Sequence, residues 1–176
     1  MKELIKEIVI ALAIVLCITA VIKPTIVRGS SMEPSLNEGD YLIVNKLAYC
    51  SHSPRRGDII VLKNSNSTST LEDKLLIKRV CAIAGDDISI DGSVVSVNGA
   101  IIDENYLSND PIQEDITGKW DVPQGCVFVM GDHRSVSLDS RSDEVGFIEE
   151  NDIVGRAIVR LYPFSRITCL ENPFTQ

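Results

Sequence analysis

Hydrophobic residues form one long uninterrupted run near the N-terminus of this chain and only short segments after it. The run extends from Ile8 to Ile22, and none of its fifteen residues is charged. As a helix with a rise of ~1.5 Å per residue it would be about 22 Å long, whereas the hydrocarbon core of a bilayer is ~30 Å thick. Lys6 and Lys23 would then reach the two membrane interfaces. Apolar neighbours on both sides are expected to lengthen the helix: Leu4, Ile5, Ile26 and Val27.

Three alternatives to a transmembrane helix fit this run less well. A cleaved signal peptide requires small residues just past the run, and residues 22–25 offer no such site. A lipoprotein signal would have a small residue before Cys17, where the sequence has Leu16. An amphipathic surface helix would need a polar face, which the run lacks. We therefore predict an uncleaved membrane anchor over residues 1–24. Lysines and arginines nearly balance on its two sides, so the positive-inside rule leaves its orientation open.

The rest of the chain, residues 25–176, consists of short apolar segments separated by Gly-Asp pairs. These pairs occupy positions 39–40, 57–58 and 85–86, and each precedes a segment rich in β-branched residues. A turn followed by such a segment is typical of a β-strand. Because no later segment has a sustained helical period, the fold class is predicted to be mostly β.

A three-stranded meander is predicted between Ile88 and Ile102. Asp91-Gly92 and Asn98-Gly99 within it have the composition of two-residue hairpin turns. Further strands are expected over residues 75–83, 127–130 and 153–161. The polar segments 64–70 and 106–120 are expected to be loops.

Charge and composition exclude nucleic acid as a partner. The formal net charge is −8, whereas a nucleic-acid-binding domain presents a basic face. Aromatic residues make up 5% of the chain, too few for a platform that stacks bases. The charge is also uneven, with about +1 on the first 23 residues and −9 on the remainder. The 44% hydrophobic content therefore averages an anchor with a more polar body.

The cysteines outside the anchor give no sign of a metal or redox site, because none forms a Cys-x-x-Cys pair. They are Cys50, Cys81, Cys126 and Cys169. One or two disulfides would be compatible with an extracytoplasmic body, whereas buried thiols suit Cys81 and Cys126, which lie in apolar segments. Nothing in the sequence connects His52 or His133 with a cysteine, so no cysteine nucleophile is indicated.

Candidate chemistry is concentrated in three short segments. Residues 28–36 carry serines before a proline turn, residues 74–86 place Lys78 inside an apolar strand, and residues 130–141 form a dense polar loop. A free serine is a poor nucleophile and needs a base. A lysine becomes that base when burial lowers its pKa, because desolvation disfavours the ammonium. The strand alone leaves a second interpretation open, in which Lys78 faces solvent.

A Ser-His-Asp triad is the competing arrangement. Asp132 and His133 are adjacent, and adjacent strand residues point to opposite faces, so they do not readily orient one another. Asp58 or Asp139 could take that part, but the chain has no Gly-x-Ser-x-Gly elbow to present a serine. A Ser-x-x-Lys pattern is also absent from the sequence. A serine and a lysine from distant segments fit better.

Four motifs follow the anchor in a specific order. They are Gly-Ser-Ser-Met-Glu-Pro-Ser-Leu at 29–36, Arg-Gly-Asp-Ile-Ile-Val at 56–61, Lys-Arg-Val…Ala-Gly-Asp at 78–86 and Gly-Asp-His-Arg-Ser-Val-Ser-Leu-Asp-Ser-Arg at 131–141. In this order the chain resembles the bacterial type I signal peptidases, membrane-anchored serine proteases that remove signal peptides from exported proteins. The resemblance implies an antiparallel β catalytic core with a smaller inserted β region at about residues 87–125.

The resemblance also implies roles for individual residues. Ser31, the serine before Met-x-Pro, would be the nucleophile, and Lys78 would be its general base. Ser137 would hydrogen-bond and orient the lysine, and Met32 would lie near the scissile bond. Other matching positions would hold the site together: Asp132, Arg134, Asp139 and Arg141.

Two departures from the family pattern concern the site. Gly29 stands where some members have a serine that contributes a hydroxyl to the oxyanion hole, so the resemblance is closer to the shorter Gram-positive-type enzymes. The oxyanion hole would then rely on the Ser31 N–H and a second donor that the sequence does not identify. His133 stands where the family usually has asparagine, and we interpret it as a structural substitution. One branch of the family has histidine at the lysine position, and Lys78 excludes this chain from that branch.

The function implied by the resemblance is cleavage of N-terminal signal peptides from preproteins through an acyl-enzyme. No metal or other cofactor is expected. The anchor would span the lipid bilayer once with its N-terminus in the cytoplasm, and the catalytic domain, residues 25–176, would be extracytoplasmic. The alternative is a non-catalytic membrane-tethered β domain that acts as a secretion accessory protein. A related repressor-type autoprotease would carry a DNA-binding domain, and the sequence has no helix-turn-helix region.

Overall fold

The architecture is that of a single helix followed by two β-sheets. The computed structural model describes residues 2–64, 75–107 and 117–174, and the elements below lie within those ranges. The helix, α1, spans Lys2–Val21. The strands are β1 (Ile22–Ile26), β2 (Tyr41–Asn45), β3 (Ile59–Lys63), β4 (Leu75–Ile83), β5 (Asp87–Asp91), β6 (Val94–Val97), β7 (Ala100–Ile101), β8 (Thr117–Asp121), β9 (Cys126–Met130), β10 (Ile148–Glu149), β11 (Ile153–Tyr162) and β12 (Thr168–Cys169).

The N-terminal helix is long and apolar enough to cross a membrane, and none of its residues is buried in the protein. It ends sooner than the sequence predicted. The extension through Ile26 and Val27 is wrong, because Ile22–Ile26 form β1, which pairs along its whole length with β2. Pro24 cannot donate a backbone hydrogen bond in a helix, whereas it is tolerated in a strand at the edge of a sheet.

The larger sheet carries the candidate chemistry. Its strand order is β1-β2-β11-β3-β4-β9-β10, and β12 pairs with β11. All of the described ladders in both sheets are antiparallel. The predicted mostly β, antiparallel fold class is therefore confirmed. The strands expected over 75–83, 127–130 and 153–161 are present as β4, β9 and β11, with shifts of at most one residue at their ends.

The smaller sheet, with strand order β7-β6-β5-β8, lies between β4 and β9 along the chain. Its first three strands are the predicted meander. The loop predicted over 106–120 is wrong at its end, because Thr117–Asp121 form β8 and pair with β5. This strand is an edge strand in which only alternate residues are half-buried, so its sequence lacks an apolar pattern. Residues 65–70 and 108–116 of the predicted loops lie outside the described residues.

The side chains of β9 alternate between two apolar clusters, which lie on opposite faces of the strand. Phe128 and Met130 point to one face, where they pack with apolar residues of the smaller sheet. Val127 and Val129 point to the opposite face and pack with residues of the larger sheet. A third cluster lies beneath the turn that follows β1 and is centred on Met32. These clusters fix the strands on which the candidate site is built.

Candidate active site

The candidate nucleophile, Ser31, lies in a tight turn that follows β1. The turn is closed by hydrogen bonds from the Glu33 N–H to the Ser30 carbonyl and from the Leu36 N–H to the Met32 carbonyl. Met32 is 1% exposed and Leu36 is fully buried, so two apolar side chains anchor the turn in the core. The Ser31 side chain is therefore held on a rigid support.

Lys78 meets Ser31 at this turn. Strand β4 places Lys78 opposite Ile60 of β3, and the lysine is 2% exposed. Its Nζ lies 2.8 Å from Ser31 Oγ and 3.0 Å from Ser137 Oγ, within hydrogen-bonding distance of both. The interpretation in which Lys78 faces solvent is therefore wrong. The two serines and the lysine come from three segments that are far apart in the chain.

The environment of Lys78 favours its neutral form. Burial lowers the pKa of Lys78 to about 8, because an ammonium loses its hydration in the interior. The carboxylates of Asp139 and Asp132 act in the opposite direction, and the positive charge of Arg141 adds to the lowering. A substantial neutral fraction near physiological pH gives the lysine a lone pair that can accept the Ser31 proton.

The loop that carries Ser137 is held by an internal ion pair between Asp139 and Arg141. Arg141 Nε donates to Asp139 Oδ1 at 2.8 Å, and Arg141 Nη2 donates to the Arg134 carbonyl at 2.7 Å. Asp139 Oδ2 accepts the Gly131 N–H at 2.9 Å. These contacts close the loop on itself, with Ser137 at its inner side.

A second buried ion pair ties this loop to β4. Arg79 donates to both oxygens of Asp132, from Nε at 2.9 Å and from Nη2 at 2.7 Å. Its Nη1 donates to the Gly57 carbonyl at 2.9 Å, and Nη2 also lies 3.3 Å from Ser35 Oγ in the nucleophile turn. Arg79 thus connects the strand of Lys78 with the turn of Ser31 and the loop of Ser137.

His133 contacts the backbone of the nucleophile turn. Its N–H donates to the Ser31 carbonyl at 3.0 Å, and its ring Nδ1 lies 3.2 Å from the Ser30 carbonyl. The imidazole is therefore engaged with main-chain oxygen, and the side chain that reaches Ser31 Oγ is Lys78. This geometry supports the structural interpretation of His133.

A cleft of about 320 Å³ leads to Ser31. One wall is β1 with the residues that follow it, and the other is the start of β4, where Leu75 to Ile77 extend beyond the pairing with β9. Met32 and Tyr41 complete the lining. Gly29, at φ +78°, lies beside the turn and has no atom within 4 Å of the position where a Cβ would be.

Cysteines and metal ligands do not contribute to this site. All five cysteines are free thiols, and burial raises the pKa of Cys81 to about 12. Cys81 is the buried thiol that its apolar segment suggested, and Cys126 is partly buried. Among the residues that the structure describes, no three His, Cys, Asp or Glu side chains are grouped as metal ligands.

Comparison with known families identifies the chain. A family model described as signal peptidase, peptidase S26, matches residues 1–162. The chain belongs to this family. Signal peptidase I of Bacillus caldolyticus is 40% identical over 153 residues, which cover 80% of this chain and 80% of that protein. Signal peptidase IB of Staphylococcus aureus is 31% identical over a 192-residue alignment that covers 98% of this chain and 96% of that protein.

The family match and the curated relatives confirm the predicted resemblance to the type I signal peptidases. A probable signal peptidase I-2 of Synechocystis is 36% identical and covers 97% of this chain and 76% of its own length. A signal peptidase I from Enterococcus faecalis has a solved structure that is 26% identical, with a TM-score of 0.48, over 58% of this chain and 95% of that one. Membership makes the chain a hydrolase, a serine endopeptidase of the signal peptidase I type.

Four further residues at the site were given no role from the sequence. They are Arg79, Gly131, Glu104 and Tyr106. Arg79 follows Lys78 in an apolar segment, and this second charge is the signal from which its burial could have been predicted. Glu104 and Tyr106 lie in an irregular polar stretch, where no periodic pattern distinguishes a buried side chain from an exposed one.

Proposed function

We propose that this chain cleaves signal peptides with a catalytic dyad of Ser31 and Lys78. The observation that carries the proposal is the 2.8 Å distance between Lys78 Nζ and Ser31 Oγ at the end of a cleft. Family membership supports the reaction, and burial of the lysine supports its role as base. Preproteins that bear N-terminal signal peptides are then the substrates.

The first half of the proposed reaction forms an acyl-enzyme. Neutral Lys78 accepts the proton of the Ser31 hydroxyl while Oγ attacks the carbonyl carbon of the scissile bond. The carbonyl electrons move onto oxygen, and the Ser31 N–H is the expected donor to that oxyanion. When the intermediate collapses, the C–N bond breaks and the lysine ammonium returns the proton to the leaving amine. Ser137, 3.0 Å from Nζ, keeps the lysine aligned.

The second half is hydrolysis of that ester. Lys78, neutral again, accepts a proton from a water molecule as the water attacks the ester carbonyl. Collapse of the second tetrahedral intermediate breaks the bond to Ser31 Oγ and releases the signal peptide as a carboxylic acid, which loses its remaining proton to solvent. The proton held by Lys78 returns to Oγ, which restores the starting state. The protons exchanged with Ser31, the leaving amine and the attacking water all pass through Lys78, and the proposed cycle uses no metal or other cofactor.

An extended substrate would lie along β1. This strand is at the end of the described sheet order, so one of its edges is not paired with any described strand. A polypeptide added to that edge would form main-chain hydrogen bonds, with alternate side chains directed into the cleft. Apolar walls such as Leu76 and Ile77 leave space for small residues before the cut.

Helix α1 is proposed to anchor the enzyme in the lipid bilayer, with its N-terminus in the cytoplasm. Its length, its apolar composition and the absence of buried residues support this role. The catalytic domain, residues 25–176 with the smaller sheet as its insertion at about 87–125, is then extracytoplasmic. Anchoring enzyme and signal peptide in one membrane raises their effective concentration.

Cleavage of a synthetic signal-peptide substrate in detergent by the full chain tests the dyad. Ser31→Ala and Lys78→Ala are each expected to reduce kcat by at least ~10³-fold, because a nucleophile or its base is removed. Ser30→Ala and Lys63→Ala are matched controls that remove the neighbouring serine and an exposed lysine of β3, and both should retain activity. Retained cleavage in either dyad variant would refute the dyad, whereas no cleavage by the unaltered chain would favour the non-catalytic accessory role.

A further inference from the structure

The backbone at Gly131 and Asp132 lies at the centre of the catalytic arrangement. A Cβ at Gly131 would collide with Ser137 Oγ and with the carbonyl oxygen of Ser31, so the glycine packs directly between the two serine segments. The backbone N–H of His133, two residues further on, donates to the same Ser31 carbonyl at 3.0 Å. A shift of this short segment would therefore move both serines relative to Lys78.

Asp132 fixes one end of the segment through Arg79. The guanidinium binds both carboxylate oxygens with its edge, and one of its faces lies on the ring of Tyr106, 4.0 Å from the ring centroid. Arg79 is 3% exposed and Asp132 is 1% exposed at the side chain. A desolvated guanidinium on an aromatic face is stabilised by the ring quadrupole, and the stacking leaves its N–H groups available for the carboxylate.

Gly131 is fixed at the other end through Arg134. Arg134 Nε donates to the Gly131 carbonyl at 3.1 Å. The same guanidinium forms a two-pronged pair with Glu104, with Nη1 at 3.0 Å from Oε2 and Nη2 on Oε1. Both side chains are less than a tenth exposed, so Glu104 neutralises a charge that would otherwise be buried alone.

Tyr106 connects the two ends. Its hydroxyl donates to Glu104 Oε1 at 2.6 Å, while its ring supports Arg79. Burial raises the pKa of Tyr106, so the phenol stays protonated and remains a donor. The contacts thus form a closed circuit from Asp132 through Arg79, Tyr106, Glu104 and Arg134 back to Gly131.

We infer that Glu104 and Tyr106 are positioning residues that hold Gly131 and Asp132, and through them Ser31 and Ser137, in the geometry for catalysis. The inference rests on the proposed function of the dyad. Both residues follow β7 in the segment inserted between β4 and β9, whereas the two arginines come from the core. The inserted segment therefore contributes to the reaction by completing the support of the catalytic loop, without contacting the substrate.

The test compares Tyr106 variants in the full-length protein. Tyr106→Leu removes the aromatic face and the hydroxyl, whereas Tyr106→Phe keeps the face. Tyr106→Leu is expected to lower kcat about tenfold with KM nearly unchanged, because the cleft is intact and only the alignment of the dyad is altered. Tyr106→Phe should recover a large part of that loss. Val95→Ala, which opens the core of the smaller sheet away from the circuit, is the control for loss of stability.

Glu104→Gln provides an independent measurement if Tyr106→Leu does not fold. It keeps the shape of the side chain but leaves Arg134 without a charged partner, and it should also lower kcat about tenfold with KM nearly unchanged. Wild-type kcat in the folded variants would overturn the inference, as would an equal loss of kcat in Val95→Ala at the same melting temperature. Cleavage that survives Ser31→Ala would instead overturn the proposed function, so the two failures are distinguishable.

Discussion

At the scale of single residues, the environment of Lys78 sets the pH dependence that the proposed mechanism predicts. Since burial lowers the pKa of Lys78 to about 8, the lysine is mostly charged below that pH and mostly neutral above it. The proposed mechanism requires Lys78 to be neutral, so kcat/KM should rise about tenfold per pH unit below 8 and level off above it. A pH–rate profile with a soluble signal-peptide substrate measures this rise in kcat/KM.

His133→Asn is the matched control for that profile. His133 is another side chain near Ser31, and histidine is a common general base. If Lys78 is the base, kcat/KM of the variant should still rise with pH up to about pH 8, because asparagine can still hydrogen-bond to the turn. A rise in rate with pH that disappears in His133→Asn would assign the base to His133.

Gly131 is a second residue at which we expect the size of the side chain to affect kcat. Gly131→Ala places a methyl group against Ser137 Oγ and the Ser31 carbonyl, and neither the loop nor the turn has room to accept it. A displacement of about 1 Å at reacting groups can cost ~10²-fold in rate, and we expect a loss of kcat of that order. Overpacking should also cost roughly 1–3 kcal/mol of stability.

Gly125→Ala separates these two effects. Gly125 has a φ of +74°, which strains any other residue, but no atom lies within 4 Å of its Cβ position. It lies in the turn before β9, away from the dyad. Thermal unfolding should show both variants to be destabilised, whereas a kinetic assay should show loss of kcat in Gly131→Ala alone. Equal activity of the two variants would contradict the steric argument.

At the scale of elements, β4 shows what the sequence can and cannot predict. Its bounds, Leu75–Ile83, agree with the predicted strand, because an apolar segment between turns is a local signal. The burial of Lys78 is not local. It depends on β3, on the turn after β1 and on the loop at 131–141, which reach the lysine only in the folded sheet. Here the order of the motifs, rather than the strand pattern, identified the residue.

Edge strands were the elements that the sequence missed. β1 and β8 each have a paired side and an outer side, and both mix half-buried with exposed residues and have no fully buried one. Lys23 and Pro24 in β1, and Gly118 in β8, have low strand propensity, and pairing with a neighbouring strand overrides it. Tertiary pairing therefore determines the walls of the cleft, whereas local patterns predict the central strands.

The ion pairs that hold the loop of Ser137 also join residues that are far apart in the chain. Glu104 pairs with Arg134 across 30 positions, and Arg79 pairs with Asp132 across 53. Charged residues in polar segments are usually solvated, so the sequence alone gave no reason to expect the Glu104 contact. For Asp132, by contrast, its position within a recognised motif was the basis for predicting a supporting role.

At the scale of the whole molecule, an apolar helix and an acidic β body are joined without a linker. α1 ends at Val21 and β1 begins at Ile22, and β1 forms a wall of the cleft. The Lys46 N–H donates to the Val21 carbonyl at 2.8 Å, which joins the end of the helix to the loop after β2. With α1 in a bilayer, the cleft would therefore be held at a short distance from the membrane surface.

This arrangement predicts that the anchor matters for membrane-bound substrates and little for soluble ones. Replacing Leu12 and Leu16 with arginine puts two charges into the span, each costing ~2.5–3.5 kcal/mol at the centre of a membrane helix. Both leucines are exposed on α1 and contribute nothing to the core, so the body should fold normally. Cleavage of a soluble peptide should be unchanged. Cleavage of a preprotein inserted in lipid vesicles to which the enzyme is added should fall ~10²-fold or more.

The leucine-to-alanine pair at the same positions controls for the loss of side-chain volume and should retain both activities. Effective concentration explains the expected difference, because the membrane brings enzyme and signal peptide together without adding a contact at the dyad. An equal fall with both substrates would mean that α1 supports the fold of the body. Unchanged cleavage of the vesicle-bound preprotein, with the arginine variant shown to be unbound to vesicles, would mean that the cleft alone recruits its substrate.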